Sequence, residues 1–412
     1  MRFPSHGGRL LAVLIMPLAI ACSMSEAERG APTVRDSAGV RIVENTVPAW
    51  GGAEWSLSPE PILSIGQQDG DAAYLFHGVL RALQLSDGRI AVANQGSSEI
   101  RFFDAEGRFL SGVGGEGDGP GEFRLMSLVW RLPGDTIVVS DSRGLTVLDP
   151  RGGYVRTIQI DLTDSGLRAQ PVGRLDDGTI LGLSGSLAGI GPPRAGALVR
   201  DTMRFHRFDA DGTYGRELVS FPGTDLWGYA AGATTTWRRV PFSAFPAWAA
   251  AGEHLYIGSG RANEIALWNA AGSRERIIRW PAGSGSVTAE HIAQYRDHLL
   301  ASTTTPDARR RVEAMLAEVP MPDSLPATGE VSILIGDDGS IWVEAYRPPW
   351  ETRREWFVFS NEGIWLGSVR PPAGFAIHDV GARFVLGGWR DALGVEYVRM
   401  YELTAPRAYD RQ

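Results

Sequence analysis

Apolar and polar residues alternate in short runs along most of the chain, and tight turns cut the runs every few residues. Residues 85–110, LSDGRIAVANQGSSEIRFFDAEGRFL, set the unit. It has a turn at Asp87-Gly88, an alternating strand, a loop, a second strand ending in FFD, a turn at Glu106-Gly107 and a third strand. Period-two alternation between Asp/Gly turns predicts half-buried β-strands. The unit returns as LPGDTIVVSDSRGLTVLDPRGGYV (132–155), in pieces as LDDGTILGLS (175–184) with FHRFDADGTY (205–214), and as AGEHLYIGSGRANEIALWNAAGS (251–273). Two more copies are GDDGSIWVEAY (336–346) with WFVFSNEGIWLG (356–367), and VGARFVLGGW (380–389) with EYVRMYEL (396–403). The turn glycines Gly88, Gly134, Gly178, Gly252, Gly339 and Gly381 lie 46, 44, 74, 87 and 42 residues apart. Short intervals of this size match a four-stranded propeller blade, typically about 40–50 residues. Six units predict an all-β chain, a six-bladed β-propeller over residues 39–412.

The two long intervals hold insertions. In residues 286–327, Val287, Ile292, Tyr295, Leu299 and Leu300 recur at helical spacing. Thr305-Pro306-Asp307 reads as the cap and first turn of a second helix, with Val312, Met315, Leu316 and Val319 on one side. This is a small helical insertion between blades 4 and 5. The insertion at 219–248 is aromatic: Trp227, Tyr229, Trp237, Phe242, Phe245 and Trp248. The last unit offers only three strands, and an open blade edge would expose unpaired backbone. Ile62–Ile65 is predicted to supply the missing outer strand, with Val40–Asn45 as the alternative.

The start of the chain reads differently. Arg2 and Arg9 precede an apolar run, Leu10–Ile20, that suits an export signal and is too short for a bilayer span of about 20 residues. Ala19-Ile20-Ala21-Cys22 resembles the bacterial lipobox, although Ala19 stands where leucine is usual. Residues 1–21 are thus expected as a lipoprotein signal peptide, Cys22 as the lipidation site, and residues 22–38 as a flexible tether. Cys22 is the single cysteine, so it has no partner for an internal disulfide. Ser23 after it fits the outer membrane, on its periplasmic side or at the cell surface.

Composition narrows the chemistry. The formal charge is -8, and -10 without residues 1–21, which argues against nucleic-acid binding. All 40 basic residues are arginine. A Schiff-base lysine or a Walker-type lysine is therefore excluded. With 51 glycines and 25 prolines the chain is rich in turns.

At GGEGDGPGEF (114–123) the chain resembles the NHL-repeat type of six-bladed propeller, in which such a loop joins successive blades. VVSDSRGLTVLD (138–149) resembles that family's strand pair, without its arginine; Arg101 comes nearest to it in the preceding unit. DSAGVRIVEN (36–45), SIWVEAYRPP (340–349) and LGVEYVRMYEL (393–403) resemble uncharacterised propeller lipoproteins of environmental bacteria. The resemblance implies a fold and no activity, because propellers host many functions.

Some propeller enzymes, such as those resembling gluconolactonases or peptidylamidoglycolate lyases, hold a metal on the axis. His77 and His378 fall on expected inner strands of the first and last blades, with Asp379 and Glu122 as partners for a divalent metal. Two histidines hydrogen-bonded in the channel wall are the plainer reading, since a metal usually takes three or four protein ligands. Asn94 and Asp141 occupy equivalent places after second strands, which points to a turn role. Glu116, Asp118 and Glu122 match no EF-hand spacing. Trp237, Arg238, Arg239, Tyr346, Arg347, Trp350, Arg353 and Arg354 suggest a ligand surface, because arginine and aromatic groups stack on sugars and peptides; arginine–aromatic packing along strands is the commoner explanation of such residues. These readings predict a lipid-anchored cell-envelope propeller that binds envelope proteins, peptides or glycans as a platform. The alternative is a metal-dependent hydrolase or lyase, lactonase-like or amidoglycolate-lyase-like, with its site in the central channel.

Overall fold

The computed structural model describes residues 31–49, 55–162, 169–185, 190–281 and 285–405. The expected signal peptide and Cys22 lie outside them. Four short strands come first: β1 (Thr33–Ser37), β2 (Val40–Glu44), β3 (Ser56–Leu57) and β4 (Leu63–Ile65). Six sheets are built in chain order. The first has β5 (Val79–Gln84), β6 (Ile90–Asn94), β7 (Glu99–Phe103) and β8 (Phe109–Gly114). The second has β9 (Leu128–Leu132), β10 (Thr136–Asp141), β11 (Gly144–Leu148) and β12 (Tyr154–Ile158). The third runs β13 (Gln170–Arg174), β14 (Ile180–Ser184), β15 (Leu198–Phe208), β16 (Tyr214–Ala231) and β17 (Thr234–Arg239). The fourth starts from β18 (Ala247–Ala251), β19 (His254–Gly258), β20 (Glu264–Asn269) and β21 (Arg274–Arg279). Helices α1 (Ala289–Ala301) and α2 (Pro306–Glu318) follow. The fifth sheet has β22 (Thr328–Ile335), β23 (Ile341–Ala345), β24 (Trp356–Phe359) and β25 (Trp365–Val369); the sixth has β26 (Ala376–Gly381), β27 (Phe384–Arg390) and β28 (Glu396–Thr404).

The first strands of the sheets pack side by side, β26 against β5, β5 against β9, β13 against β18, β18 against β22, and β22 near β26. Apolar clusters fill the junctions between sheets. Phe102 and Ile137 join the first and second, Ile180 and Phe208 face Val138 between the second and third, and Phe205 meets Leu255 between the third and fourth. Ile278 and Phe359 join the fourth to the fifth, Trp342 and Phe375 the fifth to the sixth, and Phe103 and Val398 the sixth to the first. The strand alternation produces this directly: each sheet is buried on both faces, one face per neighbour. The result is a β-propeller.

The turn chemistry is local. Gly88 takes φ +89°, its N–H bonds Leu85 O, and the Asp87 carboxylate accepts from Arg89 N, so an Asp-Gly pair closes the hairpin. Gly381 behaves differently. It lies outside the positive-φ region, and a Cβ there would sit 2.0 Å from the Phe384 ring, so that position requires space.

Closure uses the segment expected for it. β4 pairs antiparallel with β28, with Val398 opposite Ile65, and the Ile62 N–H reaches Met400 O at 2.8 Å. β3 extends the same partner at Leu403–Thr404. The alternative closing strand goes elsewhere. β2 lies parallel on β21 and extends the fourth sheet, with β1 paired outside it. Residues 33–37, expected as tether, are therefore a strand, exposed along its length. Asn45 then ties this segment to the fifth sheet through Gly363 O and Trp365 N.

Candidate functional site

The two insertions meet. Trp227 of β16 and Val240 just beyond β17 are buried against Val319 at the end of α2, with Met315 and Leu316 packed alongside. Both helices start with side-chain caps. Thr288 accepts from His291 N while the His291 ring accepts from Thr288 N, and Thr305 accepts from Ala308 N ahead of Pro306. The long β16–β17 hairpin and the helix pair are thereby fixed beside the end of the propeller where the first strands of the sheets begin.

A pocket of about 420 Å³ opens there. Four separate stretches line it: Arg239–Ser243 at the end of the hairpin, Tyr295 of α1, Gly329 of β22, and residues from Glu344 to Arg354 at and after the end of β23. The Glu344 carboxylate is buried and holds Arg354 Nη1 at 2.7 Å and Arg347 Nε at 3.5 Å. Arg239 donates from Nη2 to Ser243 O at 3.0 Å and lies 5.1 Å over the Phe245 ring. Phe242 stands at φ +55°, rare for a bulky residue, and its ring packs on Tyr295 and Trp350. Burial pushes the Tyr295 hydroxyl up, against the pull of Arg239, so it stays a neutral donor and acceptor. The described lining thus presents three arginines, one carboxylate and an aromatic wall.

Arg239 also borders a second pocket of about 690 Å³, lined by Leu183, Met203, Leu226, Phe245 and Trp248. A third, about 340 Å³, adjoins it at Leu162 and Gln170 and includes the strongly exposed Leu125. The three pockets form an arc around the mouth of the channel. The first pocket is cationic, the second mostly apolar, and the third mixed, with Asp141 and Arg143 beside Leu125 and Ile160.

The residues singled out from sequence fall in different places. Tyr346, Arg347 and Arg354 line the first pocket, and Trp350 packs behind it against Phe242 and His298. Trp237 donates to Gly191 O and Arg238 is exposed; both are on β17 and outside that lining. Glu344, Tyr295 and Phe242 were missed. Glu344 carried one usable signal, a lone acid in the apolar run SIWVEAY.

The four candidate metal ligands are not gathered. Among the described residues no group of three or more His, Cys, Asp or Glu side chains is placed to hold a metal ion. Glu122 turns onto its own loop and accepts Gly119 N at 2.7 Å. That loop connects β8 to β9, and Asp118 pairs with Arg124. His77 is exposed, with its ring over Gly96, where a Cβ would come within 2.7 Å. Its backbone N–H is held by Asn94, as Asp141 holds Arg124 N, so both second-strand residues anchor the chain entering the first strand of their own sheet. His378 sits on β26 with Nδ1 buried and unpartnered. Its pKa is pushed down to about 3 by burial, helped by Arg81 and Arg354. Asp379 accepts Gln84 N at 2.8 Å, and burial pushes its carboxyl up against the nearby Arg131 and Arg81.

Replacing Glu344 by glutamine should destabilise the protein by about 1–3 kcal/mol, because two arginines lose their shared carboxylate in a half-buried site. Urea unfolding of the variant would show it; an unchanged midpoint would mean that solvent already screens the pair.

Sheets arranged in chain order, with their first strands packed side by side, define a β-propeller. No protein-family model matches the chain, and no curated protein matches it. Several solved structures are similar in overall course. A member of the DUF4221 family from Bacteroides vulgatus is 11% identical, with a TM-score of 0.49 over 86% of this chain and 99% of that one. A gluconolactonase from Xanthomonas campestris is 10% identical, with a TM-score of 0.38 over 85% and 100%. Virginiamycin B lyase from Staphylococcus aureus is 10% identical, with a TM-score of 0.36 over 84% and 88%. The propeller reading rests on the sheet order of this chain itself. Among the described residues, no helix is long and apolar enough to cross a membrane.

Proposed function

We propose that the six sheets are the six blades of a closed ring and that the protein is a binding platform of the cell envelope. In this reading it is exported, anchored by lipid at Cys22, and takes an acidic glycan or peptide at the mouth pocket. One observation carries the ligand class. Arg239, Arg347 and Arg354 converge from two distant chain segments on one pocket walled by Tyr295, Phe242 and Tyr346. Planar guanidinium groups pair with carboxylates, and aromatic faces stack on sugar rings or peptide planes.

The test is a titration of oligogalacturonides and of glutamate-containing tripeptides into the protein and its Arg347→Ala variant. A probe that binds the parent and weakens about tenfold or more in the variant supports the pocket. Equal binding to both would overturn it. The anchor has its own check: Cys22→Ala should move the protein from the membrane to the soluble fraction, and retention on the membrane would refute lipidation at that position.

A further inference from the structure

We propose that the channel wall between β5 and β26 contains a seat for one small anion, formed by Arg81 and His378. The starting observation is an unmatched charge. Arg81 Nε is buried without a hydrogen-bond partner, and no described side chain forms an ion pair with its guanidinium. Arginine stays charged at any physiological pH and brings five N–H donors. Such a charge, half-buried and unpaired, is costly, and proteins pair it or coordinate it.

The neighbouring acids do not meet it. Asp379 acts on Arg81 through space, but its Oδ2 is taken by the Gln84 N–H at 2.8 Å. Glu344 is held by Arg347 and Arg354. On the other side stands His378, whose Nδ1 is also buried and unpartnered. Its imidazole is neutral and so offers one N–H to an incoming acceptor. Arg354, which lines the mouth pocket, is close enough to act on His378 electrostatically, so the wall continues the cationic side of the mouth.

The backbone shapes this junction with a slip that also occurs on other first strands, as between Pro171 and Gly173. The ladder between β5 and β6 slips between Val79 and Arg81, and the ladder between β26 and β27 slips between Ile377 and Asp379. Each slip is at or next to one of the two residues. β-Bulges re-aim side chains and are enriched beside functional sites. Two of them on adjacent first strands place the two unmatched groups at one junction. Water would satisfy the N–H groups but would not neutralise the guanidinium; an anion does both.

A halide ion and the carboxylate of a larger ligand entering from the mouth share this chemistry. The experiment follows thermal unfolding in a low-salt zwitterionic buffer while sodium acetate or sodium bromide is added, for the full protein and for Arg81→Met. The parent should gain a saturable shift of a few degrees that the variant lacks, as expected for an ion bound only by the folded state. Without added anion, Arg81→Met should melt no lower than the parent, because an unpaired charge has been removed. A response to both salts assigns the seat to a free anion, and a response to acetate alone assigns it to a carboxylate group. The proposal is overturned if parent and variant respond alike, or if Arg81→Met melts clearly lower, which would make the guanidinium structural. Bromide-soaked crystals of the parent give a second reading: an anomalous peak within hydrogen-bond distance of Arg81 is expected, and solvent density alone would overturn the seat. Failure here leaves the mouth pocket untouched, since Arg347 tests that site separately.

Discussion

Replacing Phe103 by alanine should cost about 3–5 kcal/mol of stability, the usual range for an aromatic side chain deleted from a packed core. The ring is fully buried where the last sheet meets the first, among Ile65, Leu386 and Val398. Tyr74, Phe76 and Phe109 surround it with centroids 5.7, 6.0 and 5.8 Å away, at tilted to edge-on angles. These neighbours come from four strands, β4, β8, β27 and β28, a short turn and a loop, so the gap cannot collapse by moving one side chain. Urea unfolding should show the loss as a lower midpoint. Phe109→Ala is the control, because that ring is 39% exposed and should cost below about 1.5 kcal/mol. A similar cost for both would mean that the closing junction is no more tightly packed than the surface.

The second large effect is acid lability. His378 has its folded pKa pushed down to about 3, below the free value of about 6.5. The unfolded chain then binds a proton that the folded chain excludes, so stability is lost as pH falls from about 6.5 towards 3. Arg81 and Arg354 oppose the imidazolium, while the adjacent Asp379, whose pKa is raised, works in the opposite direction, so the histidine's share is read from the difference between the parent and a His378 variant. By pH 4 the loss from this residue alone should be about 3 kcal/mol. Denaturation from pH 7 to pH 4 would compare the parent with His378→Gln, whose curve should be flatter. Superimposable curves would rule out the buried neutral histidine.

Much of the sheet order is legible in the sequence because its causes are local. Asp-Gly turns and strict alternation specify hairpins buried on both faces, and the missing fourth strand of the last unit pointed to residues 62–65. The cap of the second helix, Thr305 ahead of Pro306, was legible for the same reason. What the sequence concealed is long-range. VRIVE at 40–44 reads like any strand, and nothing in it says that it lies parallel on β21, more than 230 residues later. The aromatic stretch at 219–248 showed its apolar content but not that β16 lengthens and turns back through β17 to pack against the helices. At the mouth, arginines beside aromatics were visible as a class. Their meeting with Tyr295 and Phe242 was hidden, because sequence proximity says nothing about which loops share one end of a ring.

The leading strands also constrain the order of events at the ribosome. β2 needs β21, and β4 needs β28, so residues 40–65 emerge early and find their partners only after residues 274–279 and 396–404 have been made. Until then about 25 residues with several apolar side chains have no sheet to join, and the first and last sheets each keep an open face. Ring closure therefore waits until the last sheet has been made. If the protein crosses a membrane unfolded, the same step falls on the far side, and holding chaperones there would be met by an N-terminal segment that cannot fold first.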